Sequence, residues 1–286
     1  MTQTTSEVRC GELGFPVRSA GPLGGEPVIF LHGFPQTSAM WSPYLARLSA
    51  AGFFAIAPDQ RGYAATARPV GVDHYTIDLL VADVLAIADG LGVKRFHLVG
   101  HDWGGVVGWA LASAHPDRLR SLTSVSTPHP RAFASSLWRS FQLARSWYVA
   151  FFQVPKVPDR LLTARNGALL RRVLRHSGLP DTEVDAYADT MLQPGAMTAA
   201  INYYRALRPA RTFAVGRITV PTLYVWSTHD IALGGVAARA TGGEVDAPYR
   251  FEVLDGASHW IPETRVEELS ALVLDHVRSH AASSRR

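Results

Sequence analysis

The chain predicts a doubly wound, mostly parallel α/β sheet interrupted once by a helical insertion. Three observations carry that reading. Short, continuous apolar runs alternate with segments of helical spacing through most of the 286 residues. The alternation stops between about residues 128 and 211 and then resumes. At 96–108 a buried-strand pattern runs into a Gly/Ala-rich helix pattern through Gly100-His101-Asp102-Trp103-Gly104, a Gly-x-Asp-x-Gly turn.

Taken in order, Val8–Arg18, with Gly11 and Gly14, reads as an antiparallel hairpin at the sheet edge. Val28–Leu31 is a buried strand, entered through the Gly21–Pro27 turn and left at His32. Met40–Ala50 has helical spacing, and the strand Phe53–Ala57 follows Gly52 and is closed by Pro58-Asp59. Helix Ile77–Leu91, strand Phe96–Val99, helix Gly105–His115 and strand Leu122–Val125 continue the alternation. After the interruption come the strands Thr222–Trp226 and Arg250–Leu254. Continuous apolar runs of this kind mark parallel strands covered on both faces.

Pro128 and Pro130 open the interruption; Arg208-Pro209 and Gly216 close it. Inside it aromatics and arginines rise and no strand pattern appears. The expected organisation is a core (1–127), a helical cap or lid (128–211), the rest of the core (212–280) and a disordered tail (281–286). The cap should lie over the C-terminal edge of the sheet, where open α/β sheets bind ligands. Arg160–His176 carries leucines and a valine on one face and arginines on the other. That pattern reads as the solvated face of a cap helix rather than a surface for an anionic partner or a membrane.

Composition narrows the function classes. With 47% hydrophobic and 18% charged residues, the chain can bury a large core. The net charge of +4 forms no basic stripe interleaved with aromatics, so nucleic acid is not an expected partner. The single cysteine, Cys10, allows no internal disulfide and reads as a semi-buried strand residue in a reducing compartment. The N-terminus lacks the regions of a secretory signal, and no apolar run is long enough to span a membrane. A soluble, cytoplasmic protein is expected. No His/Cys/Asp/Glu group has zinc-ligand spacing, so the chemistry calls for neither metal nor cofactor. A homodimer paired through the cap is compatible with the pattern.

The turn at Asp102 points to the chemistry. Serine hydrolases place a nucleophile at the middle of such a turn. A carboxylate attacking a carbonyl would give a mixed anhydride, but on an electrophilic sp³ carbon it gives an alkyl ester that water can cleave. Gly100 and Gly104 suit the turn because strand and helix approach too closely there for a β-carbon. Cleaving the ester requires a base and an acid to orient it. Phe251–Leu254 leads into the loop carrying His259, and Leu223–Trp226 leads into Asp230. Nucleophile, acid, histidine is the chain order this architecture uses. Asp230 would fix the tautomer of His259, and His259 would activate the water.

The amides of Phe34, in His32-Gly33-Phe34-Pro35, and of Trp103 read as a two-donor oxyanion hole. The strand ending at Val125 offers Ser126-Thr127-Pro128 and no acid. His229 reads as a loop hydrogen-bonder, His101 as a packed core residue, His32 as structural and Arg61 as braced by carboxylates. Phe34, Trp103, Phe151, Phe152 and Trp260 suggest an aromatic pocket for an apolar substrate.

With those parts assembled, the chain resembles the soluble epoxide hydrolase family of the α/β-hydrolase superfamily from about residue 8 to 278. The resemblance rests on His32-Gly33-Phe34-Pro35, Asp59-Gln60-Arg61-Gly62-Tyr63, Gly100-His101-Asp102-Trp103-Gly104-Gly105 and Gly256-Ala257-Ser258-His259-Trp260. It implies an α/β-hydrolase fold, Asp102 as nucleophile, Asp230 as relay acid and His259 as base, with a small hydrophobic epoxide and water as substrates. Opening an epoxide creates an alkoxide, for which the family places two tyrosines in its lid. The segment Ser146–Pro155 resembles the first lid segment and puts Tyr148 in one role. Asn202-Tyr203-Tyr204-Arg205 resembles the second and puts Tyr204 in the other, with Tyr203 one position off and packed. A phenolic pKa of roughly 10 keeps such donors protonated at neutral pH.

Two other readings stay open. Haloalkane and haloacetate dehalogenases share the aspartate nucleophile. However, the former carry asparagine where this chain has Phe34, and the latter an arginine where it has Trp103. A hydrolase-fold binding protein without turnover would need none of the three groups in register.

Overall fold

The expected hairpin is present: β1 (Thr4–Cys10) and β2 (Leu13–Ala20) pair antiparallel through a turn in which Gly11 has φ +62°. This computed structural model describes residues 3–137, 142, 146–207 and 215–281. Six further strands follow: β3 (Pro27–Leu31), β4 (Phe54–Pro58), β5 (Phe96–His101), β6 (Leu119–Val125), β7 (Thr222–Ser227) and β8 (Tyr249–Leu254). The sheet order is β1-β2-β4-β3-β5-β6-β7-β8. From β4 to β8 every pairing is parallel, and β2 joins β4 antiparallel. Every residue of β4, β5 and β7 is buried, which explains their unbroken apolar character.

β8 departs from the expectation of a strand covered on both faces. It is the sheet edge, and Val253 is 43% exposed. Arg250 turns outward to Glu252 and Asp275 at 2.6 Å each. An edge strand keeps only one neighbour, and charged side chains along it discourage pairing with another chain.

Parallel crossovers are right-handed. The chain steps from β3 through α1 (Ser42–Ala50) to β4, then reverses through α2 (Ile77–Gly90) to β5 and through α3 (Trp103–Ala114) to β6. The reversal puts α1 on one face and α2 and α3 on the other. α1 packs on the C-terminal helix Val266–Ser279, and α2 packs on α3. It also makes β3 and β5 neighbours whose connections leave in opposite directions. Their C-terminal loops therefore open a crevice at the switch point, and β7 and β8 deliver their own loops to the same edge.

Between β6 and β7 the described residues form the helices Pro130–Ser136, Trp147–Phe152, Val157–His176, Asp181–Leu192 and Ala196–Arg205, with no strand among them. The reading of Arg160–His176 as one continuous amphipathic helix is corrected. Arg165, Asn166 and Gly167 have left-handed dihedrals (φ +50°, +53° and +70°) and split Val157–His176 in two. Asn and Gly tolerate that conformation best, and an apolar repeat does not register it. The expected closing pair Arg208-Pro209 and the tail beyond Ala281 lie outside the described residues. Among the described residues no helix is long and apolar enough to cross a membrane.

Candidate active site

Asp102 sits between β5 and α3 at φ +51°, ψ −118°. A non-glycine residue with positive φ is strained, and such strain persists only where the surroundings enforce it. Here they do. The Asp102 carbonyl accepts from Gly105 N–H (2.9 Å), Val106 N–H (3.1 Å) and the Thr127 hydroxyl (2.9 Å). A β-carbon on Gly100 would overlap the Gly104 carbonyl oxygen, and one on Gly104 would overlap that of Leu31. The sharp turn exposes the Asp102 carboxylate at the switch point.

Phe34 N–H, from the loop after β3, donates to Asp102 Oδ1 at 2.8 Å. Trp103 is the first residue of α3, so its amide has no acceptor within the helix. His259, in the loop after β8, places Nε2 3.7 Å from Asp102 Oδ2 and Nδ1 2.8 Å from Asp230 Oδ2. Asp230, after β7, accepts on Oδ1 from the amides of Ala232 and Leu233 at 2.8 Å each. The His259 loop is pinned from three strand ends. His101 Nε2–H and the Ser126 hydroxyl both donate to the His259 carbonyl (3.0 Å each), and the Ser227 hydroxyl donates to that of Ser258 (2.8 Å).

The electrostatics follow from two carboxylates flanking one imidazole. Burial opposes the charge on His259, but Asp230 and Asp102 outweigh it and raise its pKa to about 10. Burial likewise opposes the charge on Asp102, and His259 and the Phe34 amide overcome it, leaving the carboxyl below its usual range. The two shifts favour the same charged pair, the Asp102 carboxylate beside the His259 imidazolium. His101 is different: burial, then the His259 charge, pushes it down to about 3, so it stays neutral as an Nε2–H donor.

The tyrosines singled out in the lid come from separate helices, Trp147–Phe152 and Ala196–Arg205, and meet with ring centroids 5.9 Å apart. Burial first, then the Asp102 charge, raises both phenol pKa values, so both stay protonated. Tyr204 packs edge-on to the Trp103 ring, with centroids 4.9 Å apart. Tyr203 points away, donating to the Arg61 carbonyl at 2.7 Å.

Asp102, Tyr148 and Tyr204 line both a cavity of about 700 Å³ and an adjoining chamber of about 120 Å³. Phe34, Phe152, His259 and Trp260 wall the larger space; Trp103, Val106, Phe133 and Leu233 wall the smaller. The expectation that Phe151 lines the pocket is corrected. Phe152 faces the cavity, whereas Phe151 is not among the residues that wall either space. It packs instead on Trp147 and Phe152, with centroids 6.0 Å away in each case.

The remaining polar residues have structural partners. His32 donates from Nδ1 to the Gly33 carbonyl and accepts Gln60 N–H on Nε2, each at 3.0 Å. Arg61 grips Asp83 with two bonds of 2.6 Å. The exposed His229 donates its amide to the Ala257 carbonyl. Among the described residues no three His, Cys, Asp or Glu side chains could hold a metal.

Sequence reasoning missed Glu263. Its Oε1 accepts from Gln36 (2.8 Å) and from Tyr187 of the helix Asp181–Leu192 (2.9 Å). Gln36 in turn lies 3.2 Å from His101 Nδ1. Burial raises the Glu263 carboxyl despite these bonds. It ties the insertion to the support of His259, and its place four residues beyond that histidine was the only signal in the sequence.

The alpha/beta hydrolase fold family model matches residues 26–266. The AB hydrolase superfamily protein YfhM of Bacillus subtilis is 33% identical over 270 residues, covering 92% of this chain and 94% of that protein. Epoxide hydrolase 3 of Xenopus tropicalis is 33% identical over 261 residues, covering 88% of this chain and 71% of that protein. The crystal structure of epoxide hydrolase A from Mycobacterium thermoresistibile superposes with a TM-score of 0.85 at 28% identity, covering 99% of this chain and all of that one. The chain belongs to the α/β-hydrolase superfamily and, within it, to the epoxide hydrolase family.

Proposed function

We propose that this protein hydrolyses epoxides to vicinal diols through a covalent alkyl ester on Asp102. One observation carries the reading: two protonated phenols, the buried Tyr204 and the half-buried Tyr148, face the same cavity as the carboxylate at the turn. Halide release would need N–H donors around a departing anion, and here the Trp103 ring is packed edge-on against Tyr204. Relatives named epoxide hydrolases support the same chemistry.

In the first step Asp102 Oδ2 attacks a ring carbon while Oδ1 stays on the Phe34 amide. The C–O bond breaks and the ring oxygen takes a proton from a tyrosine. Esterification removes the negative charge on Asp102, so His259 loses one of the two partners that raise its pKa. It gives up its proton, which restores the phenol. Neutral His259, oriented by Asp230, then removes a proton from water as the water attacks the ester carbonyl. The oxyanion forms at Oδ1 against the Phe34 and Trp103 amides. Collapse breaks the bond from the ester carbon to Oδ2, the departing diol oxygen takes the proton from His259, and the new carboxyl then gives its own proton back to His259. The chain's own groups and the attacking water supply every bond and proton, so the proposed cycle calls for no cofactor. A reducing cytoplasm suits a chain whose one cysteine, Cys10, is free.

This cycle predicts a titration. The folded pKa of His259, about 10, lies above the unfolded value of about 6.5. Its protonation therefore stabilises the fold fully below about pH 6.5, and that contribution is lost as pH rises through about 10. Asp102→Asn mimics the uncharged ester and should lower the His259 midpoint. Ring ¹³C NMR of His259, assigned with His259→Gln, reads it directly; an identical midpoint in both proteins contradicts the proposed base activation.

The activity itself is tested with epoxides, haloalkanes and haloacetate assayed side by side, Asp102→Ala serving as blank. Diol without halide supports the reading. Halide release, or binding without turnover, defeats it.

A further inference from the structure

We propose that Gln142, reaching in from the insertion, is a positioning residue for ester hydrolysis: its side-chain amide locks the turn that holds Asp230 against His259. The inference rests on the two-step reading above and adds to it the group that keeps the relay acid in place. Gln142 is 1% exposed and lines neither space beside Asp102, so it acts through other residues. Its amide enters the turn after β7. One N–H donates to the Ala232 carbonyl at 2.6 Å, and Oε1 accepts from Gly234 N–H at 2.8 Å. The second N–H donates to the Ser146 hydroxyl at 3.1 Å. These partners settle which end of the amide is which. The reversed orientation would set two carbonyls against each other at Ala232 and two donors at Gly234.

The two bonds to the turn bracket the amides on which Asp230 depends. Asp230 Oδ1 accepts from Ala232 N–H and Leu233 N–H at 2.8 Å each, while Oδ2 holds His259 Nδ1 at 2.8 Å. The core itself supplies one hold on this stretch, from the Trp226 indole N–H to the Leu233 carbonyl at 2.9 Å. The other two come from one side chain, 90 and 92 residues earlier. Ile231, at the outside of the turn, is 53% exposed, so hydrogen bonds rather than packing set its geometry. The Asp230 side chain is fully buried. Any shift in its amide donors therefore passes to the carboxylate, with no solvent to take their place.

The two chemical steps should feel that lock differently. Ring opening uses Asp102, held by the Phe34 amide, and the two phenols. Ester hydrolysis uses His259 oriented by Asp230. Misplacing a catalytic group by about 1 Å can cost as much as a hundredfold, and slack in the turn reaches His259 alone. Gln142→Met keeps length and bulk but removes all three side-chain bonds. Single turnovers with saturating enzyme give first-order rates that do not depend on the folded fraction. Ester hydrolysis should fall on the order of tenfold, while ester formation stays within about twofold, so the ester accumulates. The His259 midpoint, read by ring ¹³C NMR, should drop as the Asp230 charge loosens its grip on the imidazole. Gln142→Asn sets the amide one methylene short of the turn and should slow the same step; it carries the test if Gln142→Met does not fold. A hydrolysis rate or a His259 midpoint equal to that of the unmodified enzyme, or an equal loss in both steps, overturns the inference while the epoxide reading stands. Absence of any ester on the unmodified enzyme overturns both.

Discussion

Replacing His259 with glutamine should leave ester formation running and stop ester hydrolysis. Diol production should fall by a factor on the order of 10³ or more, the scale of losing a positioned base. The protein should gain the mass of one substrate molecule. The reason is the division of labour around Asp102. Its Oδ1 is held by the Phe34 amide, which the substitution does not touch, so the carboxylate can still attack. Water, however, loses the group whose Nδ1 is locked by Asp230 at 2.8 Å. Intact-protein mass spectrometry after brief incubation with epoxide reads the outcome. An inactive variant that stays unmodified would mean that Asp102 is not esterified.

The second large effect is expected at the lid. Tyr148→Phe or Tyr204→Phe alone should lower the rate of ring opening by roughly ten- to a hundredfold, because the remaining phenol still meets the developing alkoxide. The double substitution should cost on the order of 10³ or more, the scale seen when buried donors to a developing oxyanion are removed. Each change deletes one oxygen and keeps the ring, so the contacts among Tyr148, Phe152 and Tyr204 survive. Pre-steady-state measurement of ester formation should show the loss in the first step alone. A double variant that opens epoxides at the unmodified rate would remove both tyrosines from the chemistry.

What could be read from the chain was what is local. Strand, turn and helix at Asp102 are contiguous, and the glycines there are demanded by contacts within a few residues of the turn or across to Leu31. Asp230 and His259 were legible because each ends an apolar run, and parallel strands deliver such ends to one edge. Tyr148 and Tyr204 came from the resemblance, since spacing alone does not distinguish a catalytic phenol from a packed one. Tyr203 shows the difference, its hydroxyl spent on the Arg61 carbonyl. Features decided by distant partners were illegible. The run at β8 does not reveal that this strand has one neighbour. The break at Arg165–Gly167 is hidden by an apolar repeat that continues across it. Arg171 finds its partners in Asp185 and Asp189, 14 and 18 residues further along the chain. Glu263 gains its role only when Gln36 and Tyr187, 227 and 76 residues before it, converge on its carboxylate.

The central claim is that the oxygen added to substrate comes from the protein and is replaced from water. With enzyme in excess over epoxide in H₂¹⁸O, a single turnover should yield diol free of label. The peptide containing Asp102 should become heavier by one ¹⁸O. Diol carrying ¹⁸O in that first turnover, with an unlabelled Asp102 peptide, would contradict the account.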